Sequence, residues 1–177
     1  LASLQKLLPH AALPPASVLG LVELLRAATS CAAGSEDIAS AIATLVEALC
    51  AAASGFVNPP AATPAEVASL LPALAALAAA PLLRCLPHLQ TVSAAAMQTS
   101  SAPPPAPPAG SVPLLVTSLR ATAALPIAIS TPSTRLAHTP AALLLAVHTA
   151  HVAATHGIEP LATASVEAMR TILGSLP

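Results

Sequence analysis

Two histidines in the C-terminal part of the chain have a spacing that suits metal binding. His148 and His151 stand three positions apart, so that a helix places both on one face, and His156 follows nearby. A zinc site needs three or four ligands with supporting contacts, and no cysteine or carboxylate adjoins these histidines. We therefore predict no metal site, and the roles of His148 and His151 stay open.

Cysteine and carboxylate chemistry is equally unsupported. Cys31, Cys50 and Cys85 lack the paired spacing of zinc or disulfide frameworks, and we predict buried free thiols. Asp37, the single aspartate, lies at a predicted helix start, where the helix dipole accounts for an acid. The six glycines are dispersed and form no phosphate-binding loop. The sequence predicts no catalytic residue, no cofactor and no enzymatic activity.

The composition points to a protein covered by partners. Of the 177 residues, 55% are hydrophobic, 20 are proline and only 7% are charged, against roughly 25% charged residues in an average soluble domain. Such a surface must consist largely of Ala, Ser, Thr and Pro, although a mutational bias toward Ala and Pro codons would give part of the same composition. The formal charge is −1. Strong phosphate binding is not indicated because the basic residues are scattered singly: Lys6, Arg26, Arg84, Arg120, Arg135 and Arg170.

Membrane insertion has to be considered because the mean hydropathy is +0.80. A spanning helix needs about 20 consecutive apolar residues, with Trp or Tyr at the interfaces. The stretch 38–57 contains Glu47, and the stretch 67–89 contains Arg84 and three prolines. The chain has neither Trp nor Tyr, so we do not expect a membrane span.

The clearest helix start lies at Thr63. Thr63 suits the N-cap, Pro64 the first helical position, and Glu66 the position from which a carboxylate reaches back to the cap. Apolar residues follow at helical spacing: Val67, Leu70, Leu71, Leu74 and Leu77. The same start recurs at Thr139-Pro140, with Gly157 predicted to end that helix.

The remaining pattern predicts helices in pairs. A first pair starts at Pro14-Pro15 and at Ser35, and a last helix runs from about Pro160 to Leu173. We expect Pro72 to bend the Thr63 helix and Pro81 to start a new one, which extends toward Met97. Residues 100–110 form a Pro-rich linker, and a ligand for an aromatic groove is the functional alternative for this stretch. The prediction is an all-α fold of antiparallel helix hairpins stacked as an irregular α-solenoid, with hairpin repeats in 1–99 and 111–177.

Residues 63–77, Thr-Pro-Ala-Glu-Val-Ala-Ser-Leu-Leu-Pro-Ala-Leu-Ala-Ala-Leu, resemble organellar helical-repeat proteins of the octotricopeptide and heptatricopeptide type, including those that end in a RAP domain. Residues 138–157 look like a poorer second copy, without the mid-helix aromatic of that family. The resemblance implies a mitochondrial or plastid protein that handles RNA or belongs to an organellar ribosome. The chain departs from the family in lacking a stripe of basic residues.

We therefore expect a non-enzymatic scaffold subunit of a large organellar ribonucleoprotein assembly, first of all a mitochondrial ribosome, with protein subunits as its partners. One alternative is an organellar gene-expression factor that binds ribosomal or other RNA, with Arg84, Arg120, Arg135 and Arg170 as its candidate contacts. The other alternative is an Ala-rich subunit of a membrane complex.

Overall fold

The computed structural model describes residues 13–31, 35–58, 60–86, 103–108 and 110–176, and helices are the only regular secondary structure in these ranges. The all-α prediction is confirmed for them. Seven helices are present in these ranges: α1 Pro15–Cys31, α2 Glu36–Ala51, α3 Ser54–Val57, α4 Pro64–Cys85, α5 Val112–Ala128, α6 Pro132–His156 and α7 Glu159–Gly174.

The start of α4 is the capping box that the sequence predicts. The backbone amide of Glu66 donates to the hydroxyl oxygen of Thr63 at 3.3 Å, and the backbone amide of Thr63 donates to the Glu66 carboxylate at 2.8 Å. Pro64 occupies the first turn, where its missing N–H costs no helical hydrogen bond. Two of the helix's unpaired amide groups are satisfied in this way.

The helix α4 continues through both of its internal prolines. Pro72 and Pro81 lie inside one helix of 22 residues, so the prediction that Pro81 starts a new helix is wrong. Each proline removes one backbone hydrogen bond, yet the side chains around Pro81 stay packed, with Leu77 and Leu82 buried. Tertiary packing outweighs the local cost at this position. The predicted continuation beyond Leu86 lies outside the described residues.

The helix α6 begins earlier than predicted. It starts at Pro132, so Thr139 and Pro140 lie inside it rather than at its start. The Thr139 hydroxyl donates back to the Arg135 carbonyl at 2.9 Å, one turn earlier, instead of capping a helix. The predicted end is confirmed, since Gly157 caps the helix with the left-handed φ of 65° that glycine adopts without strain.

The helix α5 occupies the centre of the fold. It packs against α2, α4, α6 and α7, and more lightly against α3. The C-terminal half of α5 shares one hydrophobic core with α1, α2, α3 and most of α4. Its N-terminal half shares a second core with the end of α4, with α6 and with α7. The helices α4 and α5 therefore pass each other in opposite directions, and the buried Ser118 hydroxyl donates to the Ala78 carbonyl between them.

Two polar side chains close the junction between α5 and α6. The Ala128 carbonyl is at the C-terminal end of α5 and has no donor within the helix, and the side-chain amide of Asn58 donates to it at 2.7 Å. The Asn58 carbonyl oxygen also accepts from the backbone amide of Ser130 at 2.8 Å. Arg135 donates to the next carbonyl, that of Ile129, at 2.8 and 2.6 Å. Buried backbone groups thus keep partners where the helix is interrupted.

The division of the chain at the Pro-rich stretch stays a prediction. Residues 103–108 contain neither helix nor strand. The helix that follows them, α5, packs against α2 and α4, which precede them. The helices on the two sides of the stretch are therefore in direct contact.

Replacing Thr63 by Ala tests the capping box. The variant removes the oxygen that accepts from the Glu66 amide, and we expect the melting temperature to fall by about 2–4 °C. Hydrogen bonds from Thr63 lower the pKa of Glu66 below its ordinary value of 4.5. The stability that a lowered carboxyl pKa contributes is present above pH 4.5, and it is lost as the pH falls through the lowered pKa.

The difference between Thr63→Ala and the unchanged protein should therefore shrink in thermal scans below pH 4.5. Thr63→Ser, which keeps the hydroxyl, serves as the control and should melt close to the unchanged protein. A Thr63→Ala protein that melts like the serine variant at pH 7 would contradict a contribution from the hydroxyl.

Candidate functional site

A group of polar side chains lines a cleft at the C-terminal end of α4. The cleft has a volume of about 470 Å³ and lies between that end, the first turn of α2 and the start of α5. We call it the Arg84 cleft. Its polar lining consists of Ser35, Glu36, Asp37, Ser40, Arg84, Cys85 and Ser111.

Helix ends explain why these charges lie there. Glu36 and Asp37 belong to the first turn of α2, and Arg84 belongs to the last turn of α4. Each charge has the sign that its helix terminus favours. Ser35 precedes α2 as its N-cap but makes no side-chain capping bond, unlike the predicted cap. The carboxylates and the guanidinium therefore meet in one cleft because three helix ends converge.

The residue Gly110 lets the Pro-rich stretch approach the acidic wall of the cleft. Its φ is +81°, and a Cβ atom at this position would lie 2.9 Å from both carboxylate oxygens of Glu36. Any larger residue would combine an unfavourable backbone conformation with that close contact. The connection into α5 is thus held directly against α2.

The Cys85 thiol in the cleft is not activated. Burial raises its pKa above the ordinary value of 9.0, and this effect outweighs the hydrogen bond from Ser111 and the charge of Arg84, which lower it. Burial also raises the pKa of Cys50 to about 12, with a further contribution from Glu47. Both thiols are protonated at neutral pH, and nucleophilic chemistry needs the thiolate. The predicted free, buried thiol is confirmed for Cys50, whereas Cys85 is half-buried.

A second groove shares Arg84 with the cleft. It has a volume of about 390 Å³, lies between α1 and α4, and is lined by Arg26, Thr29 and Arg84 among others. A guanidinium nitrogen of Arg84 lies 3.5 Å from the Thr29 carbonyl oxygen, and Arg26 pairs with Glu23 at 2.7 Å. Two guanidinium groups on one groove suit an anion chemically. The sequence analysis named Arg84 as a candidate contact but not Arg26. Glu23 on the same helix is the ion-pair partner of Arg26.

The four arginines named from the sequence have different surroundings. Arg84 lines the cleft and the groove. Arg120 is exposed on α5 and acts on Glu47 of α2: burial raises the pKa of Glu47, and the charge of Arg120 partly offsets that rise. Arg135 is half-buried, and besides Ile129 it donates to the Ser175 carbonyl at 2.7 Å. Arg170 is exposed on α7. Arg135 is therefore a structural residue that ties the start of α6 to the end of α7.

The histidines of α6 are separated by burial. His148 is buried, whereas His151 is exposed. In the part of the chain that the structure describes, no three His, Cys, Asp or Glu side chains are grouped to hold a metal ion. His156 contacts the Pro104 carbonyl oxygen at 2.8 Å through Nε2. That contact joins the end of α6 to the Pro-rich stretch, which sequence reasoning did not anticipate.

Comparison of the chain with protein-family models, with curated proteins and with solved structures gives no match.

Replacing Arg135 by Ala tests its structural role. The variant leaves the Ile129 and Ser175 carbonyls without their donor, and we expect a loss of about 2 kcal/mol in the free energy of unfolding. Arg135→Lys should recover only part of it, because one ammonium cannot copy the forked guanidinium. Urea unfolding measures the change, and Arg170→Ala at an exposed position should stay within about 0.5 kcal/mol of the unchanged protein. Equal unfolding midpoints for the Arg135 and Arg170 variants would contradict this role.

Replacing Glu47 by Gln tests the electrostatic coupling of α2 and α5. Burial raises the pKa of Glu47 above 4.5, and the charge of Arg120 only partly offsets this. A raised acid pKa penalises the ionised group in the folded state, so the penalty is full at neutral pH and disappears as the pH falls below 4.5. Glu47→Gln should therefore stabilise the protein at pH 7, by less than about 1 kcal/mol because solvent screens a half-buried group.

The gain from Glu47→Gln should vanish in unfolding measurements at low pH. Glu167→Gln, at an exposed position of α7, is the matched control and should change little at either pH. A Glu47→Gln protein that is less stable at pH 7 would mean that the attraction of Arg120 outweighs the cost of burial.

Proposed function

We propose that this protein is a non-enzymatic helical scaffold subunit that contacts protein partners through apolar helix faces. The observation that carries the proposal is the exposure of large apolar side chains at one end of the α6–α7 pair. Leu136 is 51% exposed and Leu173 is 50% exposed, and the bond from Arg135 to Ser175 keeps the chain segments that carry them together. We call Leu136, Leu173 and Leu176 the end patch.

The end patch suits a protein partner because the chain as a whole has few charged residues. Further large apolar side chains are exposed elsewhere, with Leu24 at 69% and Ile38 at 53%, and only 7% of the residues are charged. Interface cores are depleted of charged residues, since burying a charge is costly. Exposing such a surface to water costs free energy, and a bound partner that covers the surface removes that cost.

The proposed architecture is an irregular α-solenoid of three helix pairs, α1 with α2, α4 with α5, and α6 with α7. The pattern of contacts supports it, because α1 packs on α4, and α5 packs on both α2 and α7. In a solenoid each pair contacts its neighbours in this way. The middle pair would then contain the Pro-rich stretch between its two helices.

We further propose, from the resemblance of residues 63–77, that the assembly is an organellar ribonucleoprotein, with the mitochondrial ribosome first and a plastid particle second. Direct RNA contact is a second candidate function. It is supported by the groove in which Arg26 and Arg84 both lie, and it is weakened by Arg135, whose donors bind backbone carbonyls.

A membrane complex is the third candidate. The helices α4 and α6 are long and apolar enough to cross a bilayer by length and composition, and 39% of the apolar 18-residue stretch in each is buried inside the fold. A core helix of a soluble protein meets the same criterion, so this support is weak. Resistance to carbonate extraction would favour this candidate over the scaffold.

Sedimentation of the tagged protein from a detergent-solubilised organelle extract tests the proposal. We expect the protein to migrate with ribosomal subunits, and to move to lighter fractions after ribonuclease treatment. Leu136→Gln combined with Leu173→Gln should reduce the co-migrating fraction at least about fivefold, because polar side chains replace the apolar contact. Thr171→Gln, at an exposed position beside Arg170, is the control and should co-migrate normally.

Arg26→Gln combined with Arg84→Gln separates the second candidate from the first. Loss of co-migration in this variant alone would favour direct RNA contact over the end patch. A peak outside the ribosomal fractions that ignores ribonuclease would contradict the organellar ribonucleoprotein.

A further inference from the structure

The Pro-rich segment Pro103–Pro108 has a backbone that its own sequence restricts. It reads Pro-Pro-Pro-Ala-Pro-Pro, and every proline fixes φ near −65°. Each residue that precedes a proline is also driven away from the helical region toward extended or polyproline II backbone. Four of the six residues precede a proline within the segment. Polyproline II is therefore the conformation that this segment adopts at least entropic cost.

Solvent exposure along the segment repeats every three residues. Pro104 and Pro107 are half-buried, whereas Pro103, Pro105, Ala106 and Pro108 are exposed. Polyproline II has three residues per turn, so that residues three apart lie on one edge of a triangular prism. The edge of Pro104 and Pro107 faces the helices, and the other two edges face solvent. One outward edge carries Pro105 and Pro108, a P-x-x-P pair.

Hydrogen bonds hold the segment near both of its ends. The Pro104 carbonyl oxygen contacts Nε2 of His156 at 2.8 Å, at the end of α6. The Pro108 carbonyl accepts from the Ser111 hydroxyl at 2.8 Å and from the Ser111 amide at 3.2 Å, at the start of α5. A ligand segment fixed in its bound conformation loses less entropy when it binds.

We propose that Pro103–Pro108 is a recognition segment that docks in the aromatic-lined groove of a partner domain. Domains that bind P-x-x-P place two edges of the polyproline helix against stacked aromatic rings and leave the third edge outside. Here the third edge is the one that already faces the protein's own helices. No Asp, Glu, Lys or Arg lies between Arg84 and Arg120 in the sequence, so the groove that fits is one that recognises prolines without a neighbouring charged anchor.

This proposal rests on residues other than those of the end patch and of the groove that contains Arg26 and Arg84. It holds whether or not the protein belongs to an organellar ribonucleoprotein. Its test is also independent, because it uses the isolated 177-residue chain and one purified partner domain.

Tryptophan fluorescence gives a direct test, because this chain contains neither Trp nor Tyr. The probe is a purified WW domain that binds proline runs lacking tyrosine, whose groove Trp then reports binding without background from the chain. We expect a saturable change in its emission on titration with the 177-residue chain. Pro105→Ala combined with Pro108→Ala should weaken binding about tenfold or more, because both residues lie on one outward edge.

Pro104→Ala is the matched control, since it changes the inward edge and keeps the carbonyl that contacts His156. Binding should stay within about threefold of the unchanged chain. Circular dichroism should show the same helix content for all variants, as the segment lies outside the helices. Absence of a saturable change up to about 1 mM chain, which corresponds to a binding free energy of about −4 kcal/mol, would overturn the proposal. Equal weakening by the inward and outward variants would overturn it as well.

Discussion

The burial of α5 is the constraint on which the rest of the fold depends. Arg120 is its one charged residue, and its buried side chains leave exposed only a narrow stripe of Pro113, Arg120 and Ile127. A helix that is buried on nearly every side needs neighbours on every side, and α2, α4, α6 and α7 supply them. Because its two halves belong to different cores, the two ends of the molecule are joined through this helix.

That arrangement makes the termini of α5 the points where polar groups are needed. At the C-terminal end, Asn58 and Arg135 satisfy the carbonyls of Ala128 and Ile129, which have no donors within α5. At the N-terminal end, Ser111 holds the Pro108 carbonyl, and Gly110 lies against Glu36. Polar side chains thus stabilise both ends of α5, and those side chains are not available to a surface site.

The sequence was informative where a local interaction decides the structure. The Thr63–Glu66 capping box and the Gly157 stop depend on a few neighbouring residues, and both were predicted correctly. The apolar stripe of α4 was also predicted, and Leu70, Leu71 and Leu74 are buried. The hydrophobic pattern of α5, by contrast, does not predict which face of the helix is buried, because apolar residues occur on all of its sides.

Sequence reasoning failed where tertiary contacts decide. Pro81 and Pro140 look like helix starts locally, but packing on the cores carries both helices through them. The Arg84 cleft and the Arg26–Arg84 groove join residues that are distant in the sequence, such as Thr29 and Arg84, which are 55 positions apart, and no local spacing encodes that proximity. Arg135 was named as an RNA contact on charge alone, and its bonds to the Ile129 and Ser175 carbonyls depend on the ends of α5 and α7, which only the fold brings beside it.

The low charge and the many prolines have a common structural consequence. Prolines inside α4, α5 and α6 leave carbonyls without helical donors, while a chain with six Lys and Arg residues has few long side chains to reach them. Short hydroxyl groups also donate to helix carbonyls, as with Ser118 on Ala78 and Thr139 on Arg135. Hydroxyls satisfy carbonyls without adding charge to the surface, so helix faces stay apolar up to their ends. An apolar surface that extends to the helix ends is what a protein partner can cover without desolvating ions, and this links the unusual composition to the proposed scaffold role.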